Sequence, residues 1–332
     1  MENILVTGGF GFIGLNLISF LTKNKKYFIH NIDNLSLGHT YFEQFLTKNQ
    51  KNLVKNYKED INNFSLINEL LQTQNITKVF HLAAESHVDR SIIGPSIFFK
   101  SNVMGTLNLV ECCKNYIEKN KIDNFKFLHV STDEVFGDLK IKDESFNEST
   151  PYNPSSPYSA SKAASDFIIK SWFRTFNFPG IITNCSNNFG PCQNLEKFIP
   201  LSIKKIFTNK KMGIYGTGEN IRDWLYVEDH VETLYKIMGH GKIGETYCIG
   251  GNKEISNFKL FKKIHKIIKE NMQIKVLPFE QSFMFINDRL GHDFRYSINT
   301  KKISKDLDIN LFTDIDKTLY STIKFYLNLE NF

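Results

Sequence analysis

The sequence has no apolar run approaching the ~18 residues that a membrane-crossing helix needs, so no membrane association is expected. Its five cysteines (Cys112, Cys113, Cys185, Cys192, Cys248) are odd in number. They show neither a disulfide framework nor the paired spacing of a zinc site, so they read as small hydrophobes in a reducing compartment, and no metal is expected. The opening MENILVTGG has neither signal-peptide nor transit-peptide character, because a strand begins at once; a cytoplasmic location is expected. Charge of one sign is scarce too: 41 Lys+Arg against 35 Asp+Glu leave +6 over 332 residues. The excess is scattered in pairs such as Lys25-Lys26 and Lys204-Lys205, which fits solvated lysines and argues against a nucleic-acid partner. No internal repeat or low-complexity linker is present.

What the chain does have is core material. It is 41% hydrophobic and 14% aromatic, and its length suits one large domain or two lobes. Apolar runs at Ile4-Leu5-Val6, Phe28 to Ile32, Leu53-Val54, Val79 to Leu82, Phe127 to Val130 and Ile181 to Thr183 read as buried strands. Helical patterns fill the intervals at Gly11 to Lys23, Phe64 to Gln72, Pro95 to about Tyr116, and Tyr158 to Phe176. This alternation predicts an α/β fold, a doubly wound parallel sheet (Rossmann-type) with helices on both faces. After Thr183 glycine and proline become frequent, so a smaller C-terminal lobe is expected, with a return to the sheet between Trp224 and Gly250.

Between the first strand and the first helix stands Thr7-Gly8-Gly9-Phe10-Gly11-Phe12-Ile13-Gly14. Glycines at 8, 11 and 14 permit a tight turn, let backbone N–H groups approach a pyrophosphate, and let helix and strand pack closely. A glycine-rich structural turn would share these residues. Their placement, with Asp33 about twenty residues on at the end of the second strand, favours a dinucleotide site. The Asp33 carboxylate suits two ribose hydroxyls and repels an extra phosphate, which selects NAD over NADP. Asp60-Ile61 and Leu82-Ala83-Ala84 fall at carboxyl ends of strands, where open α/β sheets bind ligands.

Tyr158-Ser159-Ala160-Ser161-Lys162 puts a phenol and an ammonium four residues apart on one helix face. A phenol near its ordinary pKa of about 10 is a poor base at neutral pH, and a nearby ammonium lowers that value. Ser131-Thr132-Asp133-Glu134 follows the fifth strand with two adjacent carboxyls. By itself this could be a solvated acidic turn. Crowded into a cleft, the pair would titrate apart, one remaining an acid and the other a base, as elimination of water requires.

TGGFGFIG with YSASK resembles the extended short-chain dehydrogenase/reductase family over nearly the whole chain. HLAAESHVDRS, STDEVFGDL, TNCSNNFGP with EKFIPL, GTGENIRDWLYVEDH and DRLGHDFRYSI narrow the resemblance to its nucleoside-diphosphate-glucose 4,6-dehydratases. The resemblance implies an NAD-dependent hydro-lyase that makes a 4-keto-6-deoxy sugar nucleotide for deoxysugar synthesis of the rhamnose type. dTDP-glucose is the favoured substrate, with UDP-glucose close behind. Epimerases of the superfamily lack the Asp-Glu pair, and the related UDP-glucuronate decarboxylases resemble TSEVYG, with Ser where Asp133 stands. A nucleotide-sugar 4-epimerase or such a decarboxylase is the alternative.

The catalytic set implied is Thr132, Asp133, Glu134, Tyr158 and Lys162. The tightly held NAD is expected at Gly8, Gly11, Phe12, Ile13, Gly14, Asp33, Asn34, Asp60, Ile61, Leu82, Ala83, Ala84, Ser101, Tyr158, Lys162 and Asn188. The substrate is expected at Ser86, Thr132, Asn187, Glu196, Lys197, Phe198, Ile214, Tyr215, Arg222, Asn257, Arg289 and His292. Residues 1–183 plus about 221–252 would form the NAD-binding domain, and about 184–220 plus 253–332 the nucleotide-sugar lobe. Arg222 could instead pair with Asp223 or Asp229. The chain departs from the family pattern at Phe136 and Phe189, where tyrosine is usual, and at Leu290, where proline is usual. A two-fold homodimer through the helices starting at Pro95 and Tyr158 is also implied, with Phe98, Phe99, Trp172 and Phe173 on their apolar stripes.

Overall fold

Ile4 and Val6 of the first strand face one layer of helices while Leu5 faces the other, the alternation of a parallel strand buried on both sides. The computed structural model describes residues 1–23, 25–36, 41–311 and 313–329. In chain order the strands are β1 (Glu2–Thr7), β2 (Tyr27–Asp33), β3 (Val54–Lys58), β4 (Lys78–His81), β5 (Lys126–Thr132), β6 (Gly180–Cys185), β7 (Asn187–Phe189), β8 (Met212–Tyr215), β9 (Ile221–Tyr226), β10 (Thr246–Ile249), β11 (Glu254–Ser256) and β12 (Phe283–Ile286). Seven of them form one parallel sheet in the order β10-β6-β5-β4-β1-β2-β3. The strand order reverses between β1 and β4, and in doubly wound sheets the ligand crevice opens beyond that point.

Helices Phe12–Thr22 and Val227–His240 pack on one face through Leu15, Ile18, Leu234 and Ile237. Helices Phe64–Gln74, Gly105–Asn120 and Pro157–Phe176 cover the other through Leu70, Leu109 and Ile169. A third apolar core, with Ile203, Ile214, Phe261 and Leu319, holds the C-terminal lobe. There β7, β9 and β11 form a small sheet and β8 pairs with β12.

Three local readings change. The third strand runs over Val54–Lys58 rather than Leu53-Val54; it is an edge strand, VKNYK, whose polar alternation carries no apolar signal. The Trp224 segment belongs to the small sheet, and Thr246–Ile249 is what rejoins the large one. The helix expected from Pro95 is not continuous: Pro95–Phe98 passes through a π-helical stretch, Phe99–Met104, before Gly105–Asn120, and a short helix Val88–Ile93 precedes it. Such π turns recur at functional sites. This one carries Ser101 and the buried Asn102.

Candidate active site

A cleft of about 450 Å³ opens at the carboxyl ends of β1, β2, β4, β5 and β6, and every residue expected at the cofactor lines it. The glycine loop fits a dinucleotide. At Gly8, where φ is +75°, a Cβ would lie 2.7 Å from Ala83 N; at Gly14 it would lie 2.1 Å from Gly8 O. Both glycines are needed for β1, β4 and the helix to close together, while Gly11 borders the cleft. Gly11 is the N-cap of helix Phe12–Thr22, whose first turn has no side-chain cap and no acidic residue, leaving its positive end to an anion. Asp33 also borders the cleft. Its oxygens accept from Phe10 N (2.9 Å) and Leu35 N (2.8 Å), which fixes the carboxylate at the end of β2.

Behind the loop a buried polar chain ties the sheet to the helices. Thr7 Oγ1 lies 2.7 Å from His81 Nδ1, and His81 Nε2 lies 2.9 Å from Thr106 Oγ1. Asn102 then accepts from Glu85 N (2.8 Å) and donates to Ser161 Oγ (2.8 Å), one residue before Lys162.

All five catalytic candidates line the cleft. Thr132 ends β5 and its hydroxyl accepts from Glu134 N (3.3 Å), starting the tight turn Asp133–Phe136 that turns both carboxyls inward. Asp133 is buried, and its carboxyl is held well above the ordinary value by that burial and then by the charges of Glu134 and Asp223. Its Oδ1 accepts from the Thr132 hydroxyl (3.3 Å), while the buried Oδ2 has no protein partner. Burial also raises Glu134, and Arg289, Arg222 and Lys197 oppose that rise without cancelling it. Both carboxyls are thus raised, Asp133 well above its ordinary value and Glu134 against the pull of three cations, a difference in surroundings that suits an acid beside a base.

Helix Pro157–Phe176 sets the other two. Pro157 occupies its first position, and Ser156 and Ser159 cap it reciprocally. Tyr158 is buried, and that burial raises its phenol well above the ordinary value; Glu134 adds to the rise and a Thr132 hydrogen bond opposes it. The expected lowering by Lys162 is not seen, because the ammonium is turned to Val130 O at 2.9 Å.

Of the substrate candidates, Ser86, Thr132, Asn187, Glu196 and Lys197 line the cleft. Asn187 Oδ1 is buried without a protein partner. Lys197 donates to Ser86 O (3.0 Å), and Glu196 pairs with Arg90 (2.6 Å). Phe198, Ile214, Tyr215, Arg222, Asn257, Arg289 and His292 lie off this lining. Ile214 is a core residue of the small lobe and Phe198 packs toward Trp224, so their side chains are committed to packing. Asn257 opens helix Asn257–Lys266, and its N–H donates to Asn220 O. Arg222 pairs with neither Asp223 nor Asp229; it donates to the carbonyls of Ile221, Asp293 and Phe294 and lies over the Tyr296 ring at 4.3 Å. Arg222 and Arg289 still act on Glu134, so their charge reaches the cleft. His292 Nδ1 sits 2.5 Å from Asp288 Oδ1, and its ring meets Tyr215 at 6.0 Å.

A family model described as GDP-mannose 4,6 dehydratase matches residues 5–322. The chain belongs to this family. The dTDP-glucose 4,6-dehydratase of Haemophilus influenzae is 43% identical, covering 98% of both chains. The solved dTDP-glucose 4,6-dehydratase of Streptomyces venezuelae, with NAD and TYD bound, is 32% identical over 99% of this chain and 98% of that one, with a TM-score of 0.88. The Bacillus anthracis dTDP-glucose 4,6-dehydratase, in complex with NAD, is 34% identical over 100% and 98%, with a TM-score of 0.86.

This member of the GDP-mannose 4,6 dehydratase family has site residues that sequence reasoning missed. Glu85, His87, Asn194 and Leu195 line the cleft, and Asp89 and Arg90 bind its substrate candidates from the side. For Glu85, His87, Asp89 and Arg90 the signal was available in the run Glu85 to Arg90, which follows Leu82-Ala83-Ala84 beyond the end of β4; Asn194 and Leu195 carried none.

Proposed function

We propose that the chain eliminates water from dTDP-glucose, using NAD, to give the 4-keto-6-deoxy sugar nucleotide. The observation that carries this reading is the Asp133–Glu134 pair at the end of β5, one carboxyl held well above its ordinary value and the other facing three cations, beside Tyr158 and Lys162. Bound NAD supplies the acceptor that takes hydrogen from sugar carbon 4 and returns it at carbon 6. Tyr158, hydrogen-bonded through Thr132, removes the proton of the carbon 4 hydroxyl. Lys162 holds the nicotinamide ribose, and its positive charge favours the phenolate once it turns from Val130 O. The ketone at carbon 4 acidifies carbon 5, whose proton goes to Glu134. Asp133 gives its proton to the hydroxyl leaving carbon 6, and Glu134 then returns a proton to carbon 5. An epimerase has no use for a neutral acid beside the carboxylate.

Residues 1–183 plus about 221–252, which carry the large sheet and also β9 of the small one, would hold NAD, and the rest of the chain the sugar nucleotide. Arg289, with a buried Nε that has no partner, suits a diphosphate oxygen. Five buried, unbridged thiols fit a reducing cytoplasm.

A homodimer completes the reading. Phe98 is buried, and Trp172 and Phe173 pack internally, Trp172 donating to Glu111, so the expected stripe is largely core. The exposed apolar side chains on the same elements are Ile93, Ile97, Phe99, Met104, Phe167 and Phe176, a face for a second copy. A monomeric mass by light scattering at micromolar concentration would remove the dimer.

Mass spectrometry after incubation with dTDP-glucose, and separately UDP-glucose, tests the activity. Loss of one water without net consumption of NADH is expected, faster with dTDP-glucose. Unchanged mass in both would point to an epimerase.

A further inference from the structure

Lys162 is almost fully buried, yet the hydrogen bond it makes to the protein is to one carbonyl, Val130 O. A buried ammonium needs a counter-charge. One helical turn on, on the same face, stands Asp166, fully buried and absent from the reaction steps above. Its Oδ2 accepts from the Tyr152 hydroxyl (2.8 Å) and from Asn184 Nδ2 (3.1 Å), and its Oδ1 lies 3.1 Å from His129 Nε2. These contacts come from a loop, from β6 and from β5, so the carboxylate is fixed from three sides.

We propose that Asp166 is a positioning residue, the buried counter-charge that keeps Lys162 a cation at the cleft. This rests on the dehydratase reading and names the group that maintains one of its charges. The surroundings support it. Burial lowers Lys162, and Asp166 is the leading opposing influence, followed by Cys185. Burial pushes His129 down to about 4 and His81 well below its ordinary value, so at neutral pH neither ring is a cation that competes with Lys162. Asp166 is held below the ordinary carboxylate value despite burial, by His129, Lys162 and Ser131. Tyr152 stays a neutral donor, and Lys170, one helical turn beyond Asp166, binds the Tyr152 hydroxyl at 3.2 Å. Lys162, Asp166 and Lys170 thus alternate in charge at successive turns.

The test compares Asp166→Asn, Asp166→Glu and Tyr152→Phe with the wild type. Asp166→Asn keeps the shape and loses the charge, so the alkaline limb of kcat should move to lower pH by at least one unit as Lys162 deprotonates sooner. Asp166→Glu should restore most of that limb, and Tyr152→Phe, which removes a hydrogen bond but no charge, should leave it in place. A purely structural role would lower kcat or Tm without moving the limb, and that result would overturn the proposal. A readout free of catalysis is the Nζ resonance of Lys162 in 15N-lysine-labelled wild type, assigned by its loss in Lys162→Met. It should report an ammonium at pH 7; a neutral amine there would also overturn the proposal, even if Asp166→Asn does not fold. Wild type that leaves dTDP-glucose intact while this resonance reports the ammonium would remove the dehydratase reading and not the counter-charge.

Discussion

Asp89 places one carboxylate oxygen 3.5 Å from Arg289 Nη1 and the other 3.4 Å from the Tyr215 hydroxyl. Both partners come from the C-terminal lobe, and Arg289 is 200 positions away in sequence. In this arrangement Asp89 holds Arg289, the group proposed for the substrate's diphosphate, together with Tyr215.

An incoming diphosphate must therefore displace Asp89. The pair is partly exposed, and pairs of that kind contribute ~0.2–1 kcal/mol. Asp89→Asn should lower KM for dTDP-glucose by up to about fivefold and leave kcat unchanged. Steady-state kinetics at fixed ionic strength decide it; a raised KM would mean that Asp89 orients Arg289 instead of competing for it.

The Asp133–Glu134 pair predicts a separation of steps. Asp133→Asn and Glu134→Gln should both spare the first oxidation and block elimination, lowering turnover by ~10²-fold or more. Reduced-cofactor absorbance should then build up on mixing with dTDP-glucose. Dehydration at the wild-type rate in both variants would refute the assigned roles.

The same pair sets a pH dependence. Turnover needs Glu134 ionised, so it should fall as pH drops through the raised Glu134 value. Stability follows with a definite sign. A carboxyl whose folded pKa is raised contributes stability that is complete below its unfolded value and is lost as pH rises toward the folded one. Asp133→Asn should therefore match wild type in Tm at acid pH and gain on it with rising pH. A difference in Tm that stays constant across pH would show that Asp133 is not held neutral.

Much of this site was legible because its chemistry is local. The three glycines, the Tyr158–Lys162 spacing and the Thr132-Asp133-Glu134 run each lie within a few residues, and each stands where a parallel sheet opens its crevice. β3 was poorly bounded because an edge strand, VKNYK, has no apolar period to read. The π turn at Phe99–Met104 was invisible because the sequence around it keeps a helical pattern. Asp89–Arg289 and the fixing of Asp166 by Tyr152, Asn184 and His129 are tertiary, made between segments that no periodicity connects. The orientation of Lys162 toward Val130 O was out of reach for the same reason.

Gly14 offers a test of the cofactor cradle that leaves every reacting group in place. An alanine Cβ there would lie 2.1 Å from Gly8 O and 2.8 Å from Gly9 Cα, contacts with backbone that no side-chain rotation relieves. The helix Phe12–Thr22 must then move off the glycine loop, carrying its uncapped N-terminus away from where the pyrophosphate would lie. Gly14→Ala should cost about 1–3 kcal/mol of stability and release NAD during gel filtration, while wild type retains it. Excess NAD should restore part of the dehydration rate, since Asp133, Glu134 and Tyr158 are untouched. Full NAD retention by Gly14→Ala would mean that the loop yields without cost and that close helix–strand packing is not what holds the cofactor.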